Sequence, residues 1–537
     1  MMDMIQTIVR QKRMVASFFR WRVLFAVLLA PVFATAEPVR LTSITTGFII
    51  SGELIRFDGQ DYVVRSSIGQ LTIDGYDMRC DGPGCPKTSI FQTTYGVVGS
   101  NLIGSTLMPE LIEAYSETQL GTVERRAGNE ASQLVMRLRN DTGQDLAEID
   151  LRAGGSAEAF SALISGEAAI GMSSRKVSDL EFAALETAGI KEITRAGTEH
   201  VLALDGLIVI VSRDNPSKTL NVDDLADIFS GDINNWEQLG GPNAPIKVYM
   251  REPGSGTHDS FTGAVLTPRN TSLTDDATIV SSSRDLSDMV AADPFAIGVT
   301  GIAYERNGRA LALETSCGLV VEPTEFNVKT EEYPLARRLY LYTTGAPLPV
   351  SAKGILDYSL SDDAQFQIAD LGFVDQSISA ISLNEQGRRI AEAFIGPRDP
   401  EALRTMRELA LELLEADRLS TTLRFRRSSS VLDVKSLDDI GRLARFAAKG
   451  GLDNKEVLLI GFADDGGRFE ANVSLSQQRA RQIRAELEAA LSNLNVQPNS
   501  VDFIEMGYGD LAPVACGDDA LGGVSNRRVE VWVRDRI

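Results

Sequence analysis

Histidine is nearly missing from this chain, which has only His200 and His258 among 537 residues. Zinc clusters and histidine-based catalytic triads therefore get little support, and the four cysteines, which form no repeated CxxC pattern, add none. Positive charge is in deficit too: 53 Lys and Arg stand against 74 Asp and Glu, a formal net charge of −21. That balance argues against nucleic acid or an anionic membrane as partner. Any anion site has to work through local dipoles and individual arginines rather than the field of the whole protein. Long apolar runs are lacking as well. The stretch "VLFAVLLAPVFATA" is interrupted by Pro31 and shorter than the roughly 18 to 20 residues of a membrane-spanning helix. It follows Arg10, Lys12, Arg13, Arg20 and Arg22 and ends in Ala34-Thr35-Ala36, so residues 1–36 read as a signal peptide. The expectation is an exported periplasmic or envelope protein with no transmembrane segment in its mature form.

What is present divides into several domains, as the length suggests. Residues 37–86 carry short β-like runs, "GELIRF" and "DYVVRSS" around Asp58-Gly59, and read as a small β module. Within it Cys80 and Cys85 flank a Gly-Pro turn, and export favours a local disulfide between them. A bridge between Cys317 and Cys516 is left open by spacing. Residues 87–378 alternate strand and helix patterns, the mark of an open α/β sheet or two of them. Residues 379–418 read as a helical linker, with Asp399 as N-cap and Pro400 at the first helical position, and 419–537 as an α+β unit. The fold class expected is thus α/β multidomain, without cofactor or metal.

In the middle unit small polar residues precede helices at Gly99-Ser100-Asn101, Gly154-Gly155-Ser156 and Gly254-Ser255-Gly256-Thr257. Unpaired N–H groups at helix starts can together hold a desolvated oxyanion, and Arg251 can add a guanidinium. The pieces "MREPGSGTHDSF", "SGEAAIGMSSRKV", "IFSGDINNW", "AIGVTGIAY" and "LSDDAQFQIADLGFV", spread over 91–378, resemble the PstS-like phosphate receptors of ABC importers. The resemblance implies a two-lobed, hinged, type II periplasmic binding protein fold that closes on phosphate or a related oxyanion and serves an ABC permease or a sensor. Carried over by position, it implies Ser100, Asn101, Ser156, Ser174, Arg175, Arg251, Ser255, Gly256 and Thr257 as ligand-binding residues. Two positions depart from the pattern: Leu102 stands where the family has a threonine, and Ser174 where it has the aspartate that accepts the proton of hydrogen phosphate. Pro253 likewise replaces an aspartate that steadies the arginine. His258 lacks a partner for base catalysis and is expected to serve the helix start.

In the last unit "EVLLIGFAD" ends a buried strand at Asp464. The helix after it is expected to begin at Ser474 and to bury Leu475, Ile483, Leu487 and Leu491, with Arg479 at the edge of that face. By pattern alone Asp464 and Arg479 make a surface ion pair. With Asn472, "LSQQRA" and "NRRVEVWV", the wording resembles the OmpA-like peptidoglycan-binding domain. The resemblance implies that Asp464 and Arg479 grip the diaminopimelate side chain, with Asn472, Asn526 and Arg527 around it; Asp465 competes for the acidic role. The leading expectation is a non-enzymatic oxyanion receptor held on peptidoglycan. The alternatives are an envelope scaffold whose receptor domain has lost or changed its ligand, and, with least support, a phosphate-ester hydrolase.

Overall fold

The computed structural model describes residues 38–43, 48–57, 61–74, 78–85, 93–130, 132–395, 399–426, 431–464, 466–496, 501–517 and 525–536. The signal-peptide reading, the Asp58-Gly59 turn and Asp465 lie outside these residues.

The chain forms two compact units, Met1–Pro86 and Lys87–Ile537. In the first, the alternating runs build a five-stranded antiparallel sheet, in spatial order Gly69–Asp74, Asp61–Ser66, Ile49–Phe57, Pro38–Ser43, Met78–Asp81. Val39, Leu41, Tyr62 and Val64 form its small core, and Cys80 is bonded to Cys85 as expected.

The second unit begins with an 11-stranded mixed sheet serving two lobes. In the first lobe Thr93–Ser100 lies parallel to both Asp145–Gly154 and Ala168–Ser173. In the second lobe Lys247–Arg251 lies parallel to Thr278–Val280 and Ala296–Gly301. The long strand Glu199–Val211 joins them: residues 199–206 pair with Ala336–Tyr342, and residues 207–211 pair with Ala296–Gly301. Its run of apolar residues is buried on both faces, as a strand covered by helices on each side requires. One core, around Leu111, Ile149, Met172 and Leu341, fills the first lobe; another, around Phe229, Trp236, Phe261 and Val299, fills the second. At the crossing, Arg337 donates to Asp205 (Nε, 2.9 Å) and Ser260 (Nη1, 2.7 Å), and also to the carbonyl of Gly256. This buried pair ties the return strand to the turn that carries Gly256.

The C-terminal part is a five-stranded sheet in the order Ala380–Ser382, Asp417–Arg424, Arg528–Asp535, Lys455–Gly461, Asp502–Gly507. Helices Val434–Ala448 and Phe469–Asn493 cover one face through Leu443, Ala444, Ile483 and Leu487. The other face is covered by Met406, Leu409 and Leu413 at and just beyond the helix Pro400–Glu412, which Asp399 caps as expected. Residues 379–418 were expected as a linker; they contribute an edge strand and this second apolar layer. The helix Phe469–Asn493 starts five residues before Ser474, with Arg468 as its N-cap. Leu475, expected in the core, is 40% exposed, while Ile483, Leu487 and Leu491 are buried.

The C-terminal domain is fastened to the two-lobed part by buried charge. Arg418, fully buried, reaches Glu332 of the second lobe (Nη1, 3.2 Å), Gln386 (3.2 Å) and Glu530 (Nε, 3.3 Å). Arg528 and Arg389 also hold Glu530. Burial opposes ionisation of Glu530, and these guanidiniums overcome it, holding its carboxyl well below the usual range. A second knot joins Arg338, Glu331, Asp433 and Arg424; here too burial is outweighed, and Glu331 is brought down to about 2. Cys317 of the second lobe is bonded to Cys516, which answers the pairing left open by spacing. At Asp362 the contact is lighter: Arg445 and Lys449 meet it at 3.0 and 2.8 Å with all three side chains over a third exposed, where ion pairs contribute about 1 kcal/mol or less.

One carboxylate works against this domain. Burial, with Asp439 and Asp433 adding to it against Arg442 and Lys435, pushes Asp438 up to about 6. The unfolded chain releases that proton near pH 4, so between about pH 4 and 6 the folded state binds more protons and stability falls as pH rises. Asp438→Asn is expected to add roughly 1 to 2 kcal/mol at pH 7.5 and to flatten that slope in urea titrations across pH 4 to 8. Identical pH profiles for the two proteins would contradict the assignment.

Candidate functional site

The parallel strands of both lobes end at one cleft, where ligands sit in open α/β sheets. After Thr93–Ser100 the chain turns into a helical stretch carrying Asn101, Leu102, Ser105 and Thr106. After Lys247–Arg251 comes the turn to the short helix Gly256–Phe261, where Ser255 accepts from the His258 N–H at 3.2 Å as N-cap. After Thr278–Val280 comes Ser281-Ser282-Ser283-Arg284, with Ser282 capping the helix Ser283–Ala291. These three segments and Tyr304 line a solvent-open cavity of about 310 Å3. No carboxylate is among its lining residues, in a chain of net charge −21.

Arg251 is set in place by three bonds: Nε to the Val280 carbonyl (3.2 Å), Nη1 to Ser283 Oγ (2.6 Å) and Nη2 to Glu252 (3.1 Å). A guanidinium has five N–H groups, so a ligand can take the remainder. The lobes already touch beside the cavity. A Cβ on Gly256 would lie 3.1 Å from Ser174 Oγ and 3.6 Å from Leu102 Cβ, so glycine is what lets the two sides meet.

Of the residues expected from sequence, the structure brings Asn101, Arg251, Ser255, Gly256 and Thr257 to the cavity. Ser156 and Ser174 stand beside it, engaged with each other: Ser156 Oγ lies 3.1 Å from Ser174 Oγ and accepts from the Ser174 N–H at 3.0 Å. Ser100 is sealed at 1% exposure, its hydroxyl without a protein partner. Arg175 is not brought to the cavity. Both its Nη atoms bind Glu181 at 2.8 Å, since Glu181 sits one turn into the helix that follows and forms the nearer anion. His258 contacts Asp259 at 3.2 Å, beside the helix start. Sequence reasoning missed Ser105, Thr106, Ser281 to Arg284 and Tyr304. The serine run followed by arginine before an apolar helix pattern was a legible cap signal for the second group; nothing local marked Tyr304.

The second candidate site lies at the end of strand Lys455–Gly461. The helix Phe469–Asn493 presses against this edge so closely that a Cβ on Gly461 would lie 2.0 Å from the Ser476 carbonyl. Arg479, one turn on, is thereby buried, its guanidinium over the Phe425 ring at 5.3 Å and its Nη1 3.4 Å from the Phe462 carbonyl. Burial lowers its pKa, nearby Arg527 adds to that, and Asp464 opposes. Asp464 pairs with Arg527 (2.8 Å), not with Arg479 as pattern suggested. Arg527 Nε and Nη2 are buried without a partner among the described residues, and Asn472 donates to the Asp464 carbonyl at 3.3 Å. Asn526 is occupied in holding the neighbouring loop, accepting from the Val514 and Ala515 N–H groups at 2.9 and 3.2 Å. The result is one partly exposed carboxylate beside two guanidiniums, a match for a ligand end bearing both an ammonium and a carboxylate.

Among the described residues there is no cluster able to hold a metal ion, and no helix is long and apolar enough to cross a membrane. Residues 133–363 match the PBP superfamily domain, and residues 424–527 match the OmpA family. The phosphate-binding protein PstS of Bacillus subtilis is 30% identical over 246 residues, covering 45% of this chain and 76% of that protein. The PstS of Borreliella burgdorferi is 27% identical over 189 residues, covering 34% and 68%. An ABC-type phosphate transport receptor from Vibrio cholerae superposes with a TM-score of 0.40 and 22% identity over 52% of this chain and 99% of that one. The two family matches fall on different segments, the two-lobed part and the separate C-terminal sheet domain, and with the Bacillus subtilis relative at 30% identity the chain belongs to the family of PstS phosphate-binding proteins, carrying an OmpA-family domain at its C-terminus.

Proposed function

We propose that this protein is a non-enzymatic envelope receptor that binds a phosphate-type oxyanion in the interlobe cleft and holds peptidoglycan through its C-terminal domain. The observation that carries the reading is the cleft cavity lined by arginine, hydroxyl and amide groups without a carboxylate. Charge-assisted hydrogen bonds contribute about 1.5 to 3 kcal/mol each, so a few offset much of the cost of stripping water from an anion. The phosphate-binding names of the relatives support the ligand class, and an ABC permease or sensor is the partner such a receptor would serve. Isothermal titration of the mature protein, freed of co-purified ligand, is expected to show phosphate binding. Silence toward phosphate and sulfate would favour the scaffold reading, to which Leu102, the Ser156–Ser174 contact and the diversion of Arg175 lend support.

For the second half of the reading, Asp464→Ala is expected to release the protein from purified peptidoglycan in a sedimentation assay. Removing that carboxylate takes away the ammonium partner and leaves Arg527 without its anion. A variant that still sediments like the parent would remove the wall from the proposal.

A further inference from the structure

We propose that Arg337 is a positioning residue of the cleft: from outside the cavity it holds the peptide that joins Gly256 to Thr257, so that the Thr257 N–H stays turned toward the anion. This rests on the oxyanion reading above and adds to it a residue that touches no ligand, since Arg337 is not among those lining the cavity.

The turn into the helix Gly256–Phe261 consumes most of its own donors. Gly254 donates to Asp259 Oδ1 (3.1 Å), Ser255 to the Glu252 carbonyl (3.1 Å), His258 to Ser255 Oγ (3.2 Å) and Asp259 to the Ser255 carbonyl (2.9 Å). The N–H groups of Gly256 and Thr257 have no partner among the described residues, and both residues line the cavity. In a trans peptide the C=O and N–H point in opposite directions. The Gly256 carbonyl is taken by Arg337 Nη1, behind the cavity, which leaves the Thr257 N–H facing the other way. The helix alone is a weak anchor for this peptide, being six residues long with glycine, the least constrained residue, at its first position.

Arg337 is itself fixed from behind. Its Nε and Nη2 bind Asp205 Oδ2 at 2.9 and 2.5 Å, and Nη1 also reaches Ser260 Oγ at 2.7 Å. Asp205 is 1% exposed and sits where the strand Glu199–Val211 changes partners, from Ala336–Tyr342 to Ala296–Gly301. Glycine at 301 leaves room for its carboxylate, since a Cβ there would lie 3.1 Å from Oδ1. A buried ion pair contributes little net stability compared with apolar residues of the same volume. This one ties a ligand-facing turn to the strands that join the lobes. Asp205 neutralises the guanidinium, so Arg337 acts on the anion through geometry rather than charge.

The test is calorimetric titration of the full mature chain with inorganic phosphate, in the parent, in Arg337→Lys and in the double variant Arg337→Gln with Asp205→Asn. Lysine keeps a charge for Asp205 without the fork that also spans to the Gly256 carbonyl. The double variant leaves no unpaired buried charge, so its folding does not depend on a lost counter-ion. Both are expected to unfold cooperatively and to bind phosphate about tenfold or more weakly, the loss of one hydrogen bond to a charged group. Threonine-selective amide labelling supplies a readout that lost stability alone does not move. At saturating phosphate the Thr257 signal, identified by its absence from Thr257→Ser, is expected to shift in the parent and to shift less in both variants. Affinity within about threefold of the parent in either folded variant, or an undiminished Thr257 shift, would overturn the role of Arg337 and leave the oxyanion receptor standing. No heat from the parent with phosphate would overturn both.

Discussion

Replacing Arg418 with alanine is expected to cost about 3 to 5 kcal/mol of stability. Arg418 is fully buried between Glu332 of the second lobe and Glu530 of the C-terminal sheet, and Gln386 and Thr422 accept from the same guanidinium. Without it two buried carboxylates lose a shared cation. Arg389 and Arg528 still serve Glu530, but Glu332 is left with only the more distant Arg389, at 3.9 Å. Arg418→Met keeps much of the volume and still leaves the charges unmatched, so a similar loss separates the electrostatic cause from a packing one. Urea unfolding followed by tryptophan fluorescence is suited to the measurement, because Trp532 donates to Glu530 at 3.0 Å within the same cluster. A shift of less than about 1 kcal/mol in either variant would mean that water or rearrangement satisfies Glu332 and Glu530, and that the cluster is not a fastening.

The second large effect is on binding. Arg251→Ala is expected to weaken the anion by roughly two to four orders of magnitude, from the loss of two charge-assisted hydrogen bonds at about 1.5 to 3 kcal/mol each. The bonds to the Val280 carbonyl, Ser283 and Glu252 hold the side chain before ligand arrives, so little ordering cost is spent on binding. Arg251→Lys retains the charge without the planar fork and cannot keep all three anchors, so it is expected to fall between parent and alanine. Calorimetry at fixed pH with unchanged thermal unfolding is the required comparison. Affinity within about threefold of the parent in the alanine variant would move the anion away from Arg251 and, with it, away from this cavity.

Local signals (period-two strands, small residues before helices and the Asp399-Pro400 start) were enough to read an alternating α/β unit followed by an α+β unit; the two lobes and the OmpA-like character were legible only through resemblance. Sequence reading failed where tertiary contact decides. Arg175 carries the charge of an anion ligand, but Glu181, six residues on, takes both of its Nη atoms. Ser474 has good cap chemistry, yet the helix begins at Phe469, and Asn472, inside it, is buried with its amide on the Asp464 carbonyl. Arg527 rather than Arg479 reaches Asp464, a choice set by where the last strand ends relative to Lys455–Gly461. The apolar face of Pro400–Glu412 could be read as a helix but not as a layer on a sheet built from residues up to 135 positions later. Partners such as Glu332 and Arg418, 86 residues apart, have no signature in either neighbourhood.

The Cys317–Cys516 bridge and the ion cluster beside it bear on how a pull would travel through the molecule. A flexible leash lets its two ends tumble independently and stretches before it passes on force. Here a load applied to the C-terminal sheet enters the second lobe through a covalent bond and desolvated charges, and the Arg338–Asp433 pair passes it to the strand Ala336–Tyr342 that both lobes share, beside the exposed Asp362 contacts, which salt screens. The cleft therefore keeps a fixed bearing relative to the C-terminal domain, and strain on that domain reaches the strand that joins the two lobes.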